Sequence, residues 1–180
     1  MNKNQIVKDI MVDVFDFPHV PYWFTIRQAI EIMKRASAGA GKGETTNTIL
    51  VFDEKYNYMG MIRQRDVIAG LEPSLLKKSE WTGPGMEVSR DAKHVSEEHL
   101  AMIADNMFKE TAKKEAEKQV REIMVAVNVF VAPQDSPAKA AYLMSRHEVP
   151  FLAVLENRQK LVGMISMSAV FNWVAGIVVE

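Results

Sequence analysis

The sequence predicts an α/β (α+β) fold made of two copies of one β-α-β-β-α unit that pack on each other. Val7-Lys8-Asp9-Ile10-Met11-Val12 returns as Val120-Arg121-Glu122-Ile123-Met124-Val125, and the charges change only like for like. Gly60-Met61-Ile62 returns as Gly163-Met164-Ile165. Between these paired segments, each copy carries one stretch of helical periodicity followed by two short apolar runs split by a polar turn. A copy of roughly 60 residues is marginal alone because it buries too little surface, and pairing two copies relieves that.

The elements follow in order. Thr25-Ile26-Arg27-Gln28 fits a capping box, in which the Thr hydroxyl takes a first-turn amide and Gln28 reaches back. Its counterpart Ser136-Pro137 sets a capping hydroxyl before a proline at the first helical position, where no amide hydrogen is missed. Behind the caps run apolar stripes: Ile26, Ala29, Ile30 and Met33 in one copy, Ala140, Ala141 and Met144 in the other. Each strand pair reads as a hairpin, Thr48 to Ile62 and Phe151 to Ile165, and a second helix follows, from about Arg63 to Ala69 and from about Ser166 to Ala175.

The offset between copies is 113 at the first motif, 111 at the first helix and 103 at the second motif, so the first copy carries eight additional residues between helix and strand. The first copy is therefore placed at residues 1–70, with a Gly-rich insertion at about 36–45, and the second at 120–180. A linker, 71–119, joins them. It holds an amphipathic helix at about 96–118, capped by Ser96, with Leu100, Ile103, Ala104, Met107 and Phe108 on one face and a solvated tail from Lys113 to Lys118.

Composition excludes several classes of function. A net charge of −1 gives no electrostatic case for nucleic acid or an anionic membrane. The chain has no cysteine, so thiol catalysis and thiolate metal sites are ruled out. The start is polar, and no stretch approaches the ~18 to 20 consecutive apolar residues of a membrane helix, so a cytoplasmic location is expected.

The paired V-[KR]-[DE]-I-M openings and paired G-M-I segments resemble a tandem pair of cystathionine-β-synthase-type (CBS) domains, a Bateman module, over residues 7–70 and 120–176. The resemblance implies a pseudo-two-fold pair of β-α-β-β-α repeats, packed sheet to sheet with clefts between them. It also implies a regulatory binding role without catalysis, a homodimer, a separate regulated protein, and an adenosyl ligand such as AMP, ATP or S-adenosylmethionine, with no cofactor required. The family's ligand signature is Gly-apolar-apolar-[Ser/Thr]-x-x-Asp, in which the hydroxyl and the helix start receive phosphate and the Asp takes the ribose hydroxyls.

Neither copy keeps the signature whole. The first reads Gly60-Met61-Ile62-Arg63-Gln64-Arg65-Asp66, with the carboxylate present and arginine in place of the hydroxyl. The second reads Gly163-Met164-Ile165-Ser166-Met167-Ser168-Ala169, with the hydroxyl present and the carboxylate lost. His147-Glu148-Val149-Pro150 is similar to the family's approach to the cleft. Gly60, Ile62, Arg63, Arg65, Asp66, His147, Val149, Pro150, Gly163 and Ser166 are accordingly the expected ligand residues. Asp66 has a second reading, as a first-turn carboxylate that complements the helix dipole. The alternative for the whole chain is a ligand-free dimerisation scaffold, in which the degenerate signatures mean that side chains fill the clefts.

Other candidates carry less. Gly39-Ala40-Gly41-Lys42-Gly43 fails the phosphate-loop pattern, because Gly43 stands where Ser/Thr must coordinate magnesium and Ala36 where the first Gly belongs. His19, His94, His99 and His147 lack metal-ligand spacing. The twelve methionines read as core filling. Phe171 and Trp173 are expected to pack against the sheet. No nucleophile–base pair emerges.

Overall fold

A computed structural model of the chain describes residues 5–39, 47–72, 105–126 and 128–179. The elements are α1 (Val7–Ile10), β1 (Val12–Asp13), β2 (His19–Pro21), α2 (Ile26–Gly39), β3 (Thr48–Phe52), β4 (Tyr58–Arg63), α3 (Gln64–Leu71), α4 (Asp105–Glu115), β5 (Phe130–Val131), α5 (Pro137–His147), β6 (Phe151–Glu156), β7 (Lys160–Ser166) and α6 (Met167–Val178). Short 3₁₀ turns cover Val14–Asp16 and Val120–Glu122.

Two sheets form, ordered β2-β3-β4 and β1-β7-β6-β5. In each, a parallel pair (β2 with β3, β5 with β6) is joined through a helix and an antiparallel hairpin follows. In the second hairpin, Asn157 and Arg158 both have positive φ (51° and 59°), the backbone required at the centre of the turn that Gln159 closes by donating its amide to the Glu156 carbonyl.

Three cores result. Ile26, Ala29 and Met33 of α2 pack with Ile49, Val51, Ile62 and Val67 on the outer face of the first sheet. Ala140 and Met144 of α5 pack with Leu152, Val154, Ile165 and Val170 on the outer face of the second. Leu50, Phe52 and Met61 of one sheet meet Ala153, Leu161 and Met164 of the other, with Val14 and Phe17 beside them. The copies are therefore packed sheet to sheet.

The opening motif of each copy belongs physically to the other copy, which the repeat alone does not reveal. Val120 is fully buried in the first copy's outer core, and Val7 in the second's. The amides of Val120 and Arg121 donate to the carbonyls of Phe24 and Tyr22, while those of Val7 and Lys8 donate to Asp135 and Pro133. Asp9 and Glu122 each accept the amide three residues earlier (Ile6 N, 2.9 Å; Gln119 N, 3.3 Å), which explains the acidic position of the motif. Val12 pairs with Met164 in an antiparallel ladder, and Val125 forms an antiparallel bridge with Met61.

That crossing accounts for the paired glycines. A Cβ on Gly60 would lie 2.5 Å from the carbonyl oxygen of Val125, and one on Gly163 would meet the carbonyl oxygen of Val12. The obstacle is backbone in both cases and cannot rotate away.

The linker and insertion differ in part from the expectation. α4 starts the described part of the linker at Asp105, and the expected residues 96–104 lie outside the described residues. Its tail is not uniformly solvated: Glu115 and Ala116 are buried. The reason is the start of α2, where the amides of Ile26 and Arg27 donate to the carbonyls of Lys118 and Ala116 (both 2.9 Å) and Arg27 Nε reaches Glu117 at 2.7 Å. Pro137, which holds the position of Ile26 in the second copy, has no amide to satisfy. Residues 36–39, expected as loop, are instead the last residues of α2, and 40–46 lie outside the described residues.

Gly60→Ala and Gly163→Ala are each expected to destabilise the protein by about 1–3 kcal/mol through overpacking against backbone. Urea unfolding followed by far-UV circular dichroism measures this, and a loss below the error of the method at both sites contradicts the crossing geometry.

Candidate functional site

The start of α3 holds the carboxylate expected to bind ribose. Arg63 is the N-cap residue, and Asp66 accepts three hydrogen bonds from it: the backbone amide at 2.9 Å, Nε at 2.8 Å and Nη2 at 3.0 Å. Both carboxylate oxygens are engaged, and the pair is largely shielded, with side chains 18% and 11% exposed. Bidentate pairing of this kind is the stronger class of ion pair. Asp66 thus reaches back from the first turn of α3 to its N-cap residue, and the Arg63 guanidinium is spent on it.

The other first-copy expectations separate. Ile62 is fully buried in the outer core, so its side chain cannot reach a ligand. Gly60 is covered by Val125. Arg65 is exposed on α3. Asn47, on the approach to β3, accepts a hydrogen bond from Gln64 at 2.9 Å.

A groove of about 400 Å³ opens beside Asp66. One wall is α3, through Asp66, Ala69 and Gly70; the floor is the exchanged opening, Ile123, Met124 and Val125; the far rim is Glu115, Lys118 and Glu122. Gly70 allows that opening to lie close, since a Cβ there would strike Ile123 Cγ2. Lys118 pairs with Glu115, and the hydrogen bond that it donates to that carboxylate, ahead of the charge of Glu115 and Glu122, raises the lysine pKa above its usual value. The contribution of the raised lysine value is therefore present at neutral pH and is lost as pH rises through that value.

Gly70 sits four residues after Asp66, on the same helical face, a spacing visible in the sequence. The Ile123-Met124-Val125 segment was also visible as a repeat, but only the crossing reveals that it floors the first copy's groove.

The second copy uses its signature groups internally. Ser166 is buried and caps α6, accepting the amide of Ala169 at 3.1 Å. The amide of Met167 donates to the Pro150 carbonyl at 2.8 Å. Val149 packs on the outer core, and its amide donates to the Met144 carbonyl at 3.1 Å. His147 ends α5 and is exposed, and Gly163 lies under Val12. Ala169 packs on the core, and Trp173, partly buried, holds the position of Gly70. The structure thus places Pro150 and Ser166 together at the start of α6.

Residues 120–176 match the family model described as the CBS domain. The whole fold also matches solved CBS proteins. CBSX2 in complex with AMP superposes with a TM-score of 0.58 at 16% identity, over 96% of this chain and 97% of that one. The chain has the fold of a tandem CBS-domain pair. A CBS-domain-containing protein from Bacillus anthracis gives a TM-score of 0.61 at 17% identity, over 97% of this chain and 95% of that one. The cytosolic domain of the Mg2+ channel MgtE in complex with ATP gives 0.53 at 20% identity, over 88% of this chain and 45% of that one. Comparison with curated protein sequences finds no match. No helix among the described residues is long and apolar enough to cross a membrane.

Within this fold, Ser166→Ala is expected to cost about 1 kcal/mol through loss of the α6 cap. Asp66→Ala is expected to cost more, about 2 kcal/mol, because it also leaves a shielded guanidinium without its partner. Denaturant midpoints measured side by side check the order, and the reverse order contradicts the capping assignment.

Proposed function

We propose that the chain is a regulatory binding module that takes an adenosyl ligand in the groove between α3 and the Ile123–Val125 segment. The observation that carries this reading is the groove itself: a carboxylate, Asp66, at the edge of an apolar floor, in a volume of about 400 Å³. That volume lies in the range of small-ligand sites, which combine apolar lining with a few placed polar groups. A purine fits the apolar floor, and the ribose hydroxyls donate to Asp66 once its pairing with Arg63 loosens. The fold is shared with CBSX2, solved with AMP, and with the MgtE cytosolic domain, solved with ATP, which supports the ligand class. The role is regulatory and non-catalytic, and the regulated protein is a separate chain.

A second reading has its own support. Asp66 is fully engaged by Arg63, Ser166 by its own helix, and α6 exposes an apolar stripe. Phe171 is 66% exposed, against the expected burial on the sheet, because it points off the outer face of α6 together with Met167, Val174 and Val178. Ile68 of α3, at the position equivalent to Phe171, is exposed in the same way. Such a patch suits a homodimer interface. The two readings are compatible in one protein, and exclusive only in whether the groove is used.

Titration calorimetry with AMP, ATP and S-adenosylmethionine is expected to show saturable binding that Asp66→Ala abolishes while the variant still unfolds cooperatively. Absence of binding at millimolar ligand leaves the scaffold reading in its place. Phe171→Glu is expected to convert a dimer to a monomer by light scattering coupled to size exclusion, and a wild-type monomer rejects the dimer.

A further inference from the structure

The apolar stripe of α6 is not repeated on α3, the equivalent helix of the first copy. Met167, Phe171, Val174 and Val178 are all exposed, and they follow one another at steps of four, three and four residues. That is the spacing of a seam between two packed helices. No Asp, Glu, Lys or Arg interrupts α6 from Met167 to Val178. The positions equivalent to the first three are Gln64, Ile68 and Leu71, and the one equivalent to Val178 lies outside the described residues. Gln64 is polar and donates to Asn47, and Leu71 packs on the first copy's outer core. Ile68 is therefore the one exposed apolar group among these three, and Arg65, one turn earlier on the same face, is exposed beside it.

A second copy of the chain can cover the stripe in two ways that keep a twofold axis. Either α6 lies against the partner's α6, or α6 lies against the partner's α3 and symmetry makes that contact twice. The second way presses Phe171 and Val174 onto the polar Gln64 and the charged Arg65 of the partner subunit. It takes a guanidinium out of water with no carboxylate on α6 to receive it. The first way sets apolar side chains on apolar side chains, and charge is depleted at the centre of stable interfaces. The same stripe then serves both partners, as a twofold contact requires. We infer that two copies dock head to head, α6 upon α6, with the second repeats forming the centre of the contact and α3 contributing little. This rests on the reading of the α6 stripe as a dimer face.

The test uses the full chain, whose lack of cysteine lets one introduced thiol report its own neighbours. By light scattering coupled to size exclusion, Ile68→Glu is expected to stay dimeric while Phe171→Glu becomes monomeric, both still unfolding cooperatively. Loss of the dimer in both variants alike overturns the head-to-head arrangement. Val174→Cys and Ile68→Cys, one of them carrying a size tag, are then mixed, left to exchange subunits and treated with a short bismaleimide. Val174→Cys linked to itself is expected to form at least about tenfold faster than the mixed species, because thiols that face each other within a dimer react at high effective concentration. A mixed species that forms as fast or faster overturns the orientation and leaves the dimer standing. A wild-type chain that is monomeric throughout removes the dimer reading, and the orientation falls with it.

Discussion

The reciprocal crossing of the two opening segments is the constraint on which the rest of the structure depends. Each opening is anchored at its start by two amides donated to the other copy's loop, at its middle by a fully buried valine, and at its end by pairing across a glycine-bearing strand. No single part of this is strong, since a backbone hydrogen bond contributes about 1 kcal/mol net. Their combination on both sides of a pseudo-two-fold arrangement fixes the relative position of the sheets, and so forms the inter-sheet core. It also forms the groove, because the segment that covers β4 is the one that lies under α3.

The fold was legible because repetition filters chance: the like-for-like charges at Lys8 and Arg121, the glycines at 60 and 163 and the two capping solutions at Thr25 and Ser136 all recur at matching places. The exchange was not legible, because a motif shows that a segment has a role and leaves open which sheet it joins. Val7 and Val120 read the same whether they pack within their own copy or across. The solvated tail was misjudged for a related reason. Glu115 and Ala116 look polar and small in sequence, and are buried because the start of α2 needs carbonyl partners there.

Site residues were less legible than the fold. The signature positions Arg63, Asp66 and Ser166 are where the sequence puts them, at helix starts, but each is bonded within its own turn. A signature gives residue types at a spacing, and the same types at that spacing make an N-cap. Exposure of Phe171 was missed because an apolar helix reads as buried until its neighbours are known. The two clefts also diverge in bulk, since glycine at position 70 and tryptophan at 173 leave very different room on equivalent helical faces.

The crossing has a consequence for the way the chain reaches its native state. Val125, which covers the free edge of β4 at Met61, comes from the far side of the linker. Until that segment is synthesised, the first sheet ends in an unpaired strand, the kind of edge that recruits neighbouring chains. Its outer core also lacks Val120, and the groove has no floor. The first repeat therefore cannot complete its sheet edge, its outer core or its groove until residues 120–125, from beyond the linker, join it.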